Sequence, residues 1–125
     1  SLMMHASTTV FTVSDIAASL AYYRDKLGFD IAFEYGNPTS YAGVCSGKVT
    51  LHLIAASRTP RQPGHGAVAL DVDDVDALHA DLVKRGAKVL EAPANQYYGL
   101  RTFDVADLDG NMLFFGMETP KNRGL

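Results

Sequence analysis

A chain of 125 residues, 47% apolar and 20% charged, is long enough for one core without disulfides or a structural metal and too short for two domains. A net charge of -3 with scattered Lys and Arg gives no footprint for nucleic acid, and Cys45, the single cysteine, excludes an intramolecular disulfide and a thiolate-rich zinc site. No apolar run approaches the roughly 20 residues that span a bilayer. The N-terminus lacks the charged start and apolar middle of a secretory signal, and Ser1-Leu2 ahead of Met3-Met4 reads as a cloning remnant, so a soluble cytoplasmic protein is expected.

Thr8–Val13 alternates and is rich in branched and aromatic residues, which predicts a strand running into Ser14-Asp15 as cap candidates. Ile16, Leu20, Tyr23 and Leu27 then recur at helical spacing, and Gly28 supplies the permissive backbone on which helices end. Three strands are expected next, Ile31–Tyr35, Tyr41–Ser46 and Lys48–Ala55, punctuated by Gly36-Asn37-Pro38 and Gly47. In the last of them Val49, Leu51, Leu53 and Ala55 share one face, predicted to pack on the helices. Thr50, His52 and Ile54 share the other.

Residues 57–66, with Pro60, Pro63 and Gly64, form a polar connector, and the pattern then repeats. Ala67–Val72 is a strand with Val68, Leu70 and Val72 on the helix side and Ala67, Ala69 and Asp71 on the other. Asp73 corresponds to Asp15 as a cap, Val75, Leu78 and Leu82 form a helical stripe, and Gly86 ends it. Strands at Lys88–Leu90 and Arg101–Val105 follow, and the Asp107-Leu108-Asp109-Gly110-Asn111 turn leads to a last strand, Met112–Met117. Leu113, Phe115 and Met117 point to the helices, and Met112, Phe114 and Gly116 away from them. The chain is therefore an α+β domain of two tandem βαβββ modules, about 7–56 and 67–118, forming a curved mixed sheet with helices on its outer face. The two modules are expected to enclose a trough.

The repeat, the Tyr22-Tyr23-Arg24-Asp25-Lys26-Leu27-Gly28-Phe29 helix ending and the Asp107–Asn111 turn resemble the vicinal oxygen chelate superfamily, which includes glyoxalase I, extradiol dioxygenases and bleomycin-resistance proteins. The resemblance runs from about Thr8 to Met117. It implies the fold and a trough-facing site, and in members that do chemistry it implies His and Glu ligands to a metal on the first and last strands of each module. Here those four positions are Thr8, His52, Ala67 and Phe114, only one of which is a good donor. A catalytic metal needs about three protein ligands and an open position, so neither a metal nor any other cofactor is expected.

His52 is the sharpest single candidate, as a ligand contact or as a general base if there is a reaction, against the plainer reading of a histidine bonded to a neighbour. Phe114 and Met112 give the trough an apolar floor suited to a flat organic molecule, or simply fill core. Tyr97, Tyr98, Arg101 and Tyr41 are expected at the trough border, where rings and a guanidinium can hold a planar or acidic ligand; surface packing explains them equally. Asp107 and Asp109 read as turn residues, His65 as a loop residue, His79 as partly solvated helix surface, and nothing ties His5 to a site. The resulting expectation is a homodimeric, metal-independent binder of a small hydrophobic or aromatic molecule, resembling bleomycin-resistance proteins that sequester a drug. The alternatives are a glyoxalase- or dioxygenase-like enzyme with a degenerate site using His52, and a regulatory or self-immunity module.

Overall fold

In a computed structural model, residues 2–120 are described. The elements run β1 (Thr9–Val13), α1 (Ile16–Asp25), β2 (Asp30–Tyr35), β3 (Tyr41–Ser46) and β4 (Val49–Ala55). A 3-10 turn (Ala56–Arg58) follows, then β5 (Ala67–Asp71), α2 (Val75–Arg85), β6 (Lys88–Asn95), β7 (Leu100–Ala106) and β8 (Met112–Glu118). They form two four-stranded mixed sheets, ordered β1-β4-β3-β2 and β5-β8-β7-β6. In each sheet the first and last strands of a module lie parallel, side by side, and the rest is antiparallel. The two βαβββ modules are thus laid out alike.

Each helix starts on an aspartate. Asp15 Oδ1 accepts a hydrogen bond from Ala18 N at 3.0 Å, and Asp74 Oδ1 does the same for Ala77 N at 3.0 Å. The second cap is therefore Asp74 and not Asp73, because the helix begins at Val75 and a capping carboxylate must sit one residue ahead to reach the exposed amides. Gly86 ends α2 at φ +85°, its amide bonded back to Leu82 and Val83 carbonyls. In α1 the cap falls earlier, at Lys26, and Gly28 adopts φ +73° two residues on.

β6 is longer than expected, reaching Asn95 through Pro93. It is an edge strand whose pairing with β7 is irregular between Val89 and Ala94, so the missing proline amide costs no ladder bond. The helix-facing residues of both sheets, among them Phe11, Leu51, Leu53, Phe103, Leu113 and Phe115, join Leu20, Tyr23, Val75 and Leu82 in one buried cluster. One core serves both modules.

A polar seam ties the modules at its rim. The Asp107 carboxylate, 2% exposed, accepts from Tyr23 Oη on α1 at 2.8 Å, from Asn111 Nδ2 at 2.9 Å, and from the amides of Asp109 and Asn111. Asn111 Nδ2 also donates to the Thr12 carbonyl on β1, and its Oδ1 accepts from Gly66 N. Asp109 accepts from Ser14 Oγ at 2.6 Å. The turn aspartates are structural, as their position predicts, and besides closing the local turn they bridge the two halves.

Candidate binding site

Because the core lies on the helix side of both sheets, the other face of each is left uncovered by this chain. Val10, Phe33 and Tyr35 are exposed on the first sheet, and Ala67, Ala69 and Phe114 on the second. The residues lining the cavity on the second sheet all come from the second module. The expected single trough between the modules is instead two half-sites, since burial of the helical faces against each other decides how the modules pack.

The first half-site is a cluster of rings. Tyr41 on β3 and His52 on β4 share a hydrogen bond of 2.8 Å between the hydroxyl and Nδ1. Phe33 on β2 stacks on Tyr41, with centroids 6.3 Å apart, and meets His52 edge-on at 5.2 Å. Gly43 permits this arrangement. A Cβ at that position would stand 2.2 Å from the Phe33 ring, so only glycine lets the phenyl lie flat across β3. Phe33 is the residue of this cluster that sequence reasoning missed, and a glycine inside an otherwise regular strand was the available signal.

The second half-site is a cavity of about 830 Å³ on the face of the β5-β8-β7-β6 sheet. Phe114 and Gly116 from β8, Ala69 and Asp71 from β5, and Thr102 and Asp104 from β7 line it, with Glu91, Ala94, Gln96 and Tyr98 from β6 and the loop after it. Phe114 keeps 37% of its surface exposed, which for a phenyl ring on a concave face is unusual enough to count as an available contact. Burial, and after it the Glu91 carboxylate paired opposite on β6, holds the Asp104 carboxyl above the ordinary carboxylate range.

The predicted residues are divided by this geometry. His52 and Tyr41 come together in the first half-site, and Phe114 and Tyr98 in the second. Met112 is half-buried on the same strand face as Phe114 but does not line the cavity. Tyr97 is 99% exposed at the tip of the β6–β7 loop, its ring against Tyr98. Arg101 does not border either half-site. It is in phase with Phe103 and Val105, which are buried, so its side chain reaches back toward α2 and forks onto Asp76 at 2.8 and 3.0 Å. Those hydrogen bonds hold Asp76 below the ordinary carboxylate range.

The donor set does not fit a metal. Val10, rather than Thr8, lies across from His52, and Ala69 across from Phe114, so even the true strand neighbours bring no further ligand. Among the described residues no three His, Cys, Asp or Glu side chains converge in a way that would hold an ion. Nor, among them, is any helix long and apolar enough to cross a membrane.

Residues 5–115 match the Glyoxalase/Bleomycin resistance protein/Dioxygenase superfamily. Several solved structures superpose over nearly the whole chain. A superfamily member from Sphaerobacter thermophilus is 28% identical, with 93% of this chain and 100% of that one covered and a TM-score of 0.76. TnmS3, an antibiotic-binding protein from a Streptomyces species, is 27% identical over 94% and 99% of the two chains, with a TM-score of 0.74. The bleomycin-binding protein of Streptomyces verticillus, solved with copper(II)-bleomycin, is 25% identical over 92% and 97%, with a TM-score of 0.74. No curated protein matches the sequence.

Proposed function

The chain belongs to the Glyoxalase/Bleomycin resistance protein/Dioxygenase superfamily, and on that premise we propose that it is a small-molecule-binding protein that sequesters an aromatic or apolar ligand without a metal. The observation that carries this reading is the cavity beneath Phe114: an open volume of about 830 Å³, large enough for a drug-sized molecule, floored by an exposed ring and small side chains. The antibiotic- and bleomycin-binding relatives support it at the level of ligand class. Binding is proposed to take place in the cytoplasm.

Two open half-sites per chain are best completed by a second copy. A two-fold dimer would set the ring face of one protomer, with Phe33, Tyr41 and His52, over the cavity face of its partner, burying exposed aromatic surface on both. Sedimentation should then give twice the 13.5 kDa chain mass.

Thermal-shift screening against planar antibiotics and aromatic metabolites tests the binding reading. A ligand at a hundred times its dissociation constant adds about 2.7 kcal/mol, and Phe114→Ala, at an exposed position, should remove the shift while leaving the fold intact. A panel without a single stabilising compound overturns the proposal.

The Tyr41–His52 pair favours one second reading, an enzyme in which His52 is the general base and Tyr41 orients its ring. His52→Gln separates the two. Loss of turnover with retained affinity marks an enzyme, and a change in affinity alone marks a binder.

A further inference from the structure

We propose that a small cavity where β1 meets the connector is a separate binding site, one that takes an oxyanion group, carboxylate or phosphate, of a small molecule. Its volume is about 300 Å³, and Val10 and Thr12 of β1 line it together with Arg61, Gln62, His65 and Gly66 of the connector. None of these residues lines the Phe114 cavity, so the two sites stand or fall independently.

The Thr12 hydroxyl carries the inference. Its neighbours Phe11 and Val13 face the core at 1% and 0% exposure, so Thr12 belongs to the opposite, open side of β1. Val10, on that same side, is 43% exposed, yet Thr12 is only 5% exposed. Its backbone is held in place, the carbonyl accepting from Asn111 Nδ2 at 3.1 Å. Its hydroxyl makes no hydrogen bond with any described residue and opens onto the cavity. A hydroxyl kept from bulk water without a partner costs stability, and an acceptor seated in the cavity recovers it.

The remaining wall supplies donors and no acid. Among the described residues Arg24, Arg85 and Arg101 are paired with Asp25, Asp81 and Asp76, whereas the Arg61 guanidinium has no carboxylate. No Asp or Glu lines the cavity, and the Asp109 side chain is engaged by Ser14 Oγ. A guanidinium fork, a hydroxyl and the Gln62 amide make a donor set suited to an oxyanion, and the His65 imidazole adds a further N–H. The connector is fixed where it forms this wall. Gly66 N donates to Asn111 Oδ1 at 2.9 Å, and a Cβ would collide with the Phe11 ring at Gly66 and with the Asp109 carbonyl at Gly64. His65 lies between these two anchored glycines.

NMR titration of the full chain with inorganic phosphate, acetate and acetamide at constant ionic strength tests this, since acetamide keeps the shape of acetate without its charge. Phosphate or acetate should shift the amide signals of Thr12, Arg61 and His65 along saturating curves in roughly the millimolar range expected of a few hydrogen bonds to a small ion, and acetamide should not. The tighter of the two anions assigns the group as phosphoryl or carboxylate. Thr12→Val keeps the branched shape that suits β1 and should weaken binding about tenfold, the loss of one hydrogen bond to a charge. Arg61→Gln should abolish saturation. Arg58→Gln, the same charge change on the 3-10 turn outside the cavity, should alter affinity by less than about twofold. Unsaturating shifts with both anions, an equal response to acetamide, full affinity in Thr12→Val, or a loss in Arg58→Gln as large as in Arg61→Gln overturns the inference. The reading of the Phe114 cavity is untouched by any of these results.

Discussion

Replacing Tyr23 with Phe removes one oxygen atom from the centre of the seam between the modules. The hydroxyl lies in a fully buried side chain and donates at 2.8 Å to a carboxylate that is itself 2% exposed, so water has no access to replace it. A hydrogen bond to a charged group contributes about 1.5–3 kcal/mol net, and Tyr23→Phe should cost that much. Asp107→Ala is the harsher change: it strands Tyr23 Oη and the amides of Asp109 and Asn111, and about 3–5 kcal/mol is expected. The pair of substitutions should cost less than the sum, because once Tyr23 is Phe one stranded donor is gone. Urea unfolding followed by circular dichroism gives all three numbers. A Tyr23→Phe cost within 0.5 kcal/mol of zero, an order-of-magnitude floor for an ordinary surface change, would refute the claim that this bond holds the halves together.

The same hydroxyl fixes a pH dependence. Burial, then the charge of Asp107 and the bond to it, raises the Tyr23 pKa well above its usual value near 10. A group raised in the folded state contributes its full stability below the unfolded pKa and loses it as pH climbs beyond that point. Stability should therefore decline above about pH 10, as the unfolded tyrosine ionises and the folded one resists, and Tyr23→Phe should flatten that decline in alkaline titrations of the unfolding midpoint.

Two further substitutions test local claims. Asp74→Ala should cost about 1 kcal/mol, the ordinary value of an N-cap, and Asp73→Ala less than half of that; chemical denaturation that ranks them the other way contradicts the cap assignment. Gly43→Ala should push the Phe33 ring off β3, destabilise by about 1–3 kcal/mol as overpacking does, and change the aromatic proton shifts of Tyr41 and His52. Unchanged ring shifts in that variant would mean Phe33 does not lie across the glycine.

Most of the fold was legible because its signals are periodic. The Ile16–Leu27 and Val75–Leu82 stripes marked the helices, and Leu51 and Leu53 identified the buried side of β4 and left His52 on the other. Less was legible where a rule competes with context. β6 was expected to stop at Leu90, yet as an irregular edge strand it runs on through Pro93 to Asn95. The Arg101 assignment failed through chemistry taken ahead of geometry: strand parity with Phe103 and Val105 already placed it beside α2. For the candidate site, Tyr41, His52, Phe114 and Tyr98 could be named from the sequence, but not their separation onto two faces. Which sides of the modules bury each other is a long-range packing outcome with no local pattern to announce it. The opposition of Glu91 and Asp104 was hidden for the same reason, since it exists only across a strand pair.

A shared core on one side of both sheets has a consequence for how such a duplicated chain can diverge. Each copy packs inward and leaves its other sheet face open, so a change on one open face need not disturb its sibling or the interior both depend on. The two copies here differ in that way: rings and an imidazole mark the first, carboxylates the second, while the strand order beneath them is the same twice over.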